Sequence, residues 1–198
     1  MKILPISAQF AGKPVTEDYI ISKLGTIAGV AYQAETDFET ARKRLIHCMK
    51  HGHDSVLEHE TISLLITTDI GTAKALCRHR HIAITQESTI YCNYSNKKYD
   101  GELQVIEPVN DELEQTLLNI ENAYMSSRAP AKDKRDILPH ITKTTIAITG
   151  NIRSWRYIIG LRTDPKDSSR MHTTVEAIKK LLATHYPFFF ENVPELWK

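Results

Sequence analysis

Two β-branched, apolar segments constrain the fold of this 198-residue chain more than any other feature. Residues 61–69 (TISLLITTD) and 142–149 (TKTTIAIT) each have the composition of a buried strand. Shorter strands are predicted in the opening KILPIS and in LQVIEP, residues 103–108. Helical segments separate these strands, so the sequence predicts an α+β fold.

Helical spacing of apolar residues predicts the remaining elements. In residues 37–50, for example, Ala41, Leu45, Ile46 and Met49 fall on one face. Comparable patterns and capping signals predict helices over residues 16–32, 37–50, 72–80, 111–128, 152–162 and 168–185, with Asn151 as a cap and Pro187 as a stop. No linker or repeat interrupts the chain, so one domain is predicted over residues 1–198. The apolar tail that begins at Pro187 is expected to be packed, either in the core of this chain or against a neighbouring chain.

Charge and cysteine content exclude several classes of function. The net charge is +1, so no global field draws the protein to nucleic acid or to an anionic membrane. The three cysteines form no CxxC pair and no disulfide framework, which favours a reducing cytoplasm. No segment approaches the ~20 apolar residues of a membrane span. A cytoplasmic protein without membrane or nucleic-acid partners is therefore expected.

The segment HGHDSVLEHE, residues 51–60, gathers three histidines and two glutamates. It is interpreted either as a solvated turn with one buried histidine or as a metal site. An HxH pair needs strand geometry, whereas here a helix end and a loop are predicted, and the HExxH order is absent. No metal is therefore predicted.

The segment RHRHIAITQES, residues 78–88, follows an apolar helical run and carries two permanent cations and two histidines within four residues. A nucleic-acid patch is one interpretation, but such patches come with a net basic charge. Half-buried arginines need anionic partners, and a diphosphate or nucleotide phosphate would match their bidentate geometry. A phosphorylated cofactor fits this segment better than DNA does.

Arg78-His79-Arg80, seven further residues and then Ser88 make up an RHRx7S pattern, which resembles the signature of flavin-dependent thymidylate synthases. Three more motifs resemble that family in the same order along the chain. They are His53-x-Ser55-x-x-Glu58-His59, Arg135-x-x-Leu-Pro139, and Asn151-x-Arg153-Ser with Leu161-Arg162. Together these motifs cover residues 53–162.

The resemblance implies a central antiparallel sheet flanked by helices, a homotetramer, and transfer of a one-carbon unit from methylenetetrahydrofolate to C5 of dUMP. It implies FAD as cofactor, reduced by NADPH, and no cysteine nucleophile. The implied FAD-binding residues are His53, Ser55, Glu58, Arg78, His79, Arg80, Asn151, Arg153 and Leu161. The implied substrate-binding residues are Gln86, Glu87, Ser88, Thr89, Arg135 and Arg162, of which Ser88 and Arg162 are the catalytic residues.

Each of these residues also has a purely structural interpretation. Ser88 is then a turn residue, Arg135 a partner in a surface salt bridge and Asn151 a helix cap. The order of the motifs favours the functional interpretation.

The substrate side departs from the family pattern. Family members usually carry Asn, Glu and Arg at the positions of Thr85, Gln86 and Ile90, and Gln at that of Ala75. The loss of Arg at position 90 removes a charge-assisted contact of ~1.5–3 kcal/mol, which Arg170 would be able to replace from another direction. Three alternatives stay open: dUMP as substrate, another pyrimidine such as UMP or dCMP with methyl or hydroxymethyl transfer, or a non-catalytic paralogue.

Overall fold

Four antiparallel strands form the central sheet of the computed structural model, which describes residues 1–33 and 36–197. The strands of the described residues are β1 (Lys2–Leu4), β2 (Ser7–Phe10), β3 (Thr61–Asp69), β4 (Ile82–Gln86), β5 (Gln104–Ile106) and β6 (Lys143–Asn151). The sheet has the order β2-β3-β6-β4, while β1 and β5 pair with each other in parallel. The predicted α+β fold with a central antiparallel sheet is therefore confirmed.

Five of the helices in the described residues have 10 to 17 residues, and three have four to seven residues. They are α1 (Glu17–Gly29), α2 (Phe38–Lys50), α3 (Ile70–Leu76), α4 (Asp111–Ser126), α5 (Ala131–Lys134), α6 (Ile152–Leu161), α7 (Ser169–His185) and α8 (Pro187–Phe190). Short 3-10 helices span Val30–Tyr32, Asp54–His59, Lys97–Tyr99 and Arg135–Ile137.

The two segments singled out in the sequence lie side by side at the centre of the sheet. β3 pairs with β6 along its whole length, from Thr61 opposite Asn151 to Asp69 opposite Lys143. Alternate residues of both strands are buried, as expected for a sheet with one face on the core. Their apolar face forms the larger of two apolar clusters together with residues of every helix except α4 and α5. The smaller cluster lies beneath α4 and β5.

The structure differs from the predicted elements at three places. Pro5 divides KILPIS into β1 and β2, because proline has no N–H for a continuous ladder and the two halves pair with different strands. The helix predicted over residues 72–80 is α3, which ends at Leu76, so the RHR residues lie in the turn after it. His81 in that turn has a positive φ of 59°, which a helix cannot accommodate. β4 was not predicted.

The apolar tail packs within its own chain. Phe189 and Phe190 are fully buried in the larger apolar cluster. The guanidinium of Arg156 in α6 donates to the carbonyl oxygen of Phe189. Phe189 and Phe190 therefore belong to the core of the chain.

Candidate active site

β4 joins the two halves of the RHRx7S pattern. Residues 78–81 precede this strand and residues 87–89 follow it. Each end of the strand opens into a different cavity. The residues implied for FAD and those implied for the nucleotide are therefore separated along one strand.

The first cavity, which we call the RHR cavity, has a volume of about 740 Å³. It collects residues from α6, from the turn after α3 and from the turn before β3. Its lining is Glu58, Arg78, His79, Arg80, His81, Asn151, Arg153, Ser154, Tyr157, Ile158, Leu161 and Arg162. Seven of the nine residues implied for FAD thus lie around one cavity, together with Arg162.

The guanidinium of Arg162 is held by three acceptors. Its Nε donates to Nε2 of His79 over 2.9 Å and its Nη2 to the carbonyl oxygen of Ala75 over 3.1 Å. Its Nη1 lies 3.3 Å from the carboxylate of Asp167. An arginine has five N–H groups, so one hydrogen on each terminal nitrogen remains for a ligand. The side chain is fixed at the wall of the cavity and still able to donate.

His79 acts as an acceptor because its ring is neutral. The pKa of this imidazole is lowered to about 4, first by burial and then by the positive charge of Arg162 beside it, while Asp167 opposes the shift. A protonated ring would bring a second cation against the guanidinium. The contact between His79 and Arg162 is therefore intact at neutral pH and is lost as the pH falls towards 4.

The start of α6 forms another side of the RHR cavity. Asn151 caps this helix, since its Oδ1 accepts from the backbone N–H of Ser154 over 2.8 Å. Asn151 therefore caps the helix and also lines the cavity, so the structural and the functional interpretation of this residue are compatible. Arg153 pairs with the carboxylate of Glu58 from the turn before β3. Both side chains of this pair are about half exposed, so the pair is available to a ligand.

His53 and Ser55 lie outside the lining of the RHR cavity. Both are exposed at the turn that follows α2. The ring of His53 lies 6.0 Å from that of His47 and 6.2 Å from that of His51, measured between centroids. Within this chain these two residues therefore do not join the other residues implied for FAD.

The second cavity, which we call the Ser88 cavity, has a volume of about 400 Å³. Its lining is Ile70, Lys74, Gln86, Glu87, Ser88, Thr89, Arg135, Leu138 and His140. All five residues implied for substrate binding other than Arg162 lie here. Ile90 and Arg170 do not line it, and Arg170 instead donates to the carbonyl oxygen of Pro108 over 2.7 Å.

The carboxylate of Glu87 is bound within the protein. It accepts from Nζ of Lys143 over 2.8 Å and from the backbone N–H of Thr145 over 2.9 Å. The thiol of Cys92 also lies 3.6 Å from this carboxylate. The negative charge of Glu87 is thus neutralised, and it does not repel an anion from the Ser88 cavity.

The thiols show no sign of a nucleophile. Burial raises the pKa of Cys48 and of Cys77, which disfavours the thiolate in both. The thiol of Cys92 lies 3.6 Å from the carboxylate of Glu87, to which it donates.

In the residues that the structure describes, no three His, Cys, Asp or Glu side chains are arranged to hold a metal ion. No helix in the described part of the chain is long and apolar enough to cross a membrane.

The residues of the RHR cavity suit a large anionic cofactor such as FAD. Arg78 and Arg80 have no carboxylate within 4.0 Å among the described residues, so both cations are open to an anion. Tyr157 and Leu161 add an aromatic and an apolar wall. A volume of about 740 Å³ is in the range of cofactor sites. Arg78 and Arg80 would hold the diphosphate, and the walls formed by Tyr157 and Leu161 would contact the ring system.

Several lining residues were not found from the sequence. Tyr157 lies four residues after Arg153 on α6, so helical spacing alone would have placed it on the same face. Lys74 and His140 in the Ser88 cavity, and Asp167 beside Arg162, carry no motif in the sequence. Their positions depend on contacts between distant segments.

Known proteins are similar to this chain in sequence and in fold. A family model described as thymidylate synthase complementing protein matches residues 17–188. A flavin-dependent thymidylate synthase of Corynebacterium aurimucosum is 27% identical over 93% of this chain and 78% of that protein. A flavin-dependent thymidylate synthase of Helicobacter pylori, complexed with FAD and dUMP, gives a TM-score of 0.77 at 18% identity, over 95% of this chain and 99% of that one.

A second structural relative is a UMP/dUMP methylase of Streptomyces cacaoi bound with 5-Br dUMP. Its TM-score is 0.75 at 16% identity, and the match covers 96% of both chains. At these identities the two structural likenesses establish the fold of the chain.

Proposed function

This chain belongs to the thymidylate synthase complementing protein family, the flavin-dependent thymidylate synthases, and we propose on that basis that it converts dUMP to dTMP. The family expected from the RHRx7S pattern is confirmed by the match over residues 17–188. The observation that carries the proposed reaction is the fixed guanidinium of Arg162 in a cavity lined by Arg78, His79 and Asn151.

Arg162 is proposed to activate the pyrimidine. C5 of uracil is a weak nucleophile unless negative charge can build on the ring carbonyls, and a preorganised donor lowers the energy of that charge. The two remaining N–H groups of Arg162 are suited to a carbonyl oxygen. Three existing contacts hold the guanidinium, so little reorganisation accompanies the reaction.

FAD reduced by NADPH would supply the hydride that turns the transferred methylene of methylenetetrahydrofolate into a methyl group. Residues of the RHR cavity are proposed to hold this cofactor. Ser88 and the residues around it are proposed to hold the nucleotide, with Arg135 on its phosphate. The two cavities of one chain lie at opposite ends of β4, so in the assembled enzyme the base would meet Arg162 of the partner subunit. C5 exchanges its hydrogen, released as a proton, for the methyl group, methylenetetrahydrofolate would leave as tetrahydrofolate, and the flavin would be left oxidised.

The proposed enzyme is a homotetramer of the cytoplasm. In the isolated chain, Glu58 and Tyr157 at the RHR cavity are exposed, and Tyr91 beside the Ser88 cavity is 85% exposed. Neighbouring chains that cover these residues would complete the site and exclude water from it. The free thiols of Cys48, Cys77 and Cys92 support a reducing compartment.

Release of tritium from C5 of labelled nucleotides tests the proposed reaction. Purified protein is expected to show the absorbance of bound FAD and to release tritium from dUMP in the presence of methylenetetrahydrofolate and NADPH. UMP, dCMP and deoxyuridine are the comparison substrates. Release from UMP or dCMP but not from dUMP would keep the family and contradict the thymidylate product. FAD binding without release from any of them would indicate a non-catalytic paralogue.

Light scattering tests the assembly. The FAD-loaded protein is expected to have four times the mass of one chain. Dilution that dissociates the tetramer should also release FAD, because the cofactor would be held by more than one chain. A flavin-loaded monomer would contradict the proposed assembly.

A further inference from the structure

The Ser88 cavity contains two basic side chains to which the family resemblance gives no role. Lys74 on α3 and His140 before β6 both line this cavity, as Arg135 does. Nζ of Lys74 lies 3.4 Å from Nε2 of His140. Two basic groups at this distance repel each other when both are protonated, and an anion beside them relieves that repulsion.

Backbone contacts hold Lys74 and His140 together. The N–H of Gly71 donates to the carbonyl oxygen of His140 over 3.2 Å, and the N–H of Ile70 donates to that of Thr142 over 3.0 Å. Lys74 lies three residues after Gly71 on α3, so both are on the side of the helix that faces the segment before β6. The fold therefore places the backbone segments that carry Lys74 and His140 side by side, so their side chains share one cavity.

The charge balance of this cavity favours an anion. Its one carboxylate, that of Glu87, is paired with Lys143. Within the described residues, neither Lys74 nor Arg135 has a carboxylate within 4.0 Å. The hydroxyl groups of Ser88 and Thr89 add donors to the same wall. The cavity thus presents two uncompensated permanent cations, a histidine and two hydroxyls.

We propose that Lys74 and His140 bind the phosphate monoester of the pyrimidine nucleotide together with Arg135, and that Lys74 supplies the cation that Ile90 does not. This inference rests on the proposed function. Ile90 is 43% exposed and does not line the cavity, so its side chain makes no contribution there. A monoester dianion matches the two permanent cations of the cavity in charge. Substrate recognition has therefore moved from the loop after Ser88 to α3.

Comparison of dUMP with deoxyuridine in a Lys74→Gln variant tests this inference. The variant is expected to raise the KM for dUMP by about 10- to 100-fold with little change in kcat, as for the loss of a charge-assisted contact. The KM and kcat for deoxyuridine, which has no phosphate, should not change. Lys74→Arg keeps the cation and should restore most of the affinity. His140→Gln should raise the KM for dUMP less, because the cation of Lys74 remains.

Lys180→Gln is the matched control, since Lys180 is an exposed lysine on α7 away from both cavities. It should leave the KM for dUMP unchanged. An unchanged KM for dUMP in Lys74→Gln would overturn the inference. A rise in the KM for methylenetetrahydrofolate or NADPH instead would overturn it too, because the anion held there would then belong to another substrate.

Calorimetric titration of the FAD-loaded protein separates this inference from the proposed function. Wild-type protein should bind dUMP more tightly than deoxyuridine, and Lys74→Gln should remove most of that difference even if no turnover is detected. Binding of dUMP without C5 tritium release would contradict the proposed reaction and leave the phosphate site standing. Equal affinity of wild-type protein for dUMP and deoxyuridine would overturn the phosphate site.

Discussion

Arg162→Lys is expected to lower kcat/KM for the nucleotide by roughly 10²- to 10³-fold, the cost of removing one preorganised donor from a developing oxyanion. Lysine keeps the positive charge but has one nitrogen where arginine uses three. It therefore cannot keep the contacts to His79, Ala75 and Asp167 and still donate to the base. Steady-state kinetics with the tritium assay measure the loss.

Arg128→Lys is the control for this substitution, because Arg128 is exposed after α4 and lines neither cavity. Its activity should equal that of the wild type. The flavin absorbance of Arg162→Lys should be retained, which separates a loss of chemistry from a loss of cofactor. A variant with Lys at position 162 that keeps more than a third of the wild-type kcat/KM would show that Arg162 does not activate the base.

Trp155→Ala is expected to lower the free energy of unfolding by about 3–5 kcal/mol, the range for truncation of a large buried aromatic side chain. Trp155 is fully buried in the larger apolar cluster. Its Nε1 donates to the carbonyl oxygen of Ile62 over 3.0 Å, so α6 is attached to β3 through this residue. Urea titration at fixed protein and FAD concentrations measures the change.

Tyr19→Ala is the control. Tyr19 lies on α1, lines neither cavity and is 53% exposed, so its truncation should cost less than about 1 kcal/mol of unfolding free energy. The comparison keeps the replacement of an aromatic residue by alanine and changes its burial. Equal losses in both variants would show that the packing of Trp155 does not determine the stability measured.

The long strands were predictable because their own residues determine their structure. β3 has the bounds predicted for residues 61–69, and seven of its nine residues are β-branched or apolar, which leaves little choice of structure there. β4 has five residues beside a charged segment and exists because it pairs with β6, from Ile82 opposite Gly150 to Gln86 opposite Ile146. A pairing between segments 60 or more residues apart has no local signal.

The residues of the candidate site also divide into those that the sequence identified and those that only the folded chain brings together. Arg78, Ser88 and Arg162 were found because they belong to ordered motifs. Lys74 and His140 lie together only because the backbone of α3 bonds to the segment before β6. Such closeness is a property of the folded chain, so neither residue was identified from the sequence.

The seven residues between Arg80 and Ser88 set the distance between these two residues, because most of them form a strand. Five of them form β4, and a five-residue strand extends about 17 Å at ~3.3 Å per residue. Successive side chains of a strand point to opposite faces of the sheet. One residue more or fewer in this interval would therefore turn the loop after β4 to the opposite face. The number of residues inside the motif thus sets both the distance and the relative direction of the RHR cavity and the Ser88 cavity.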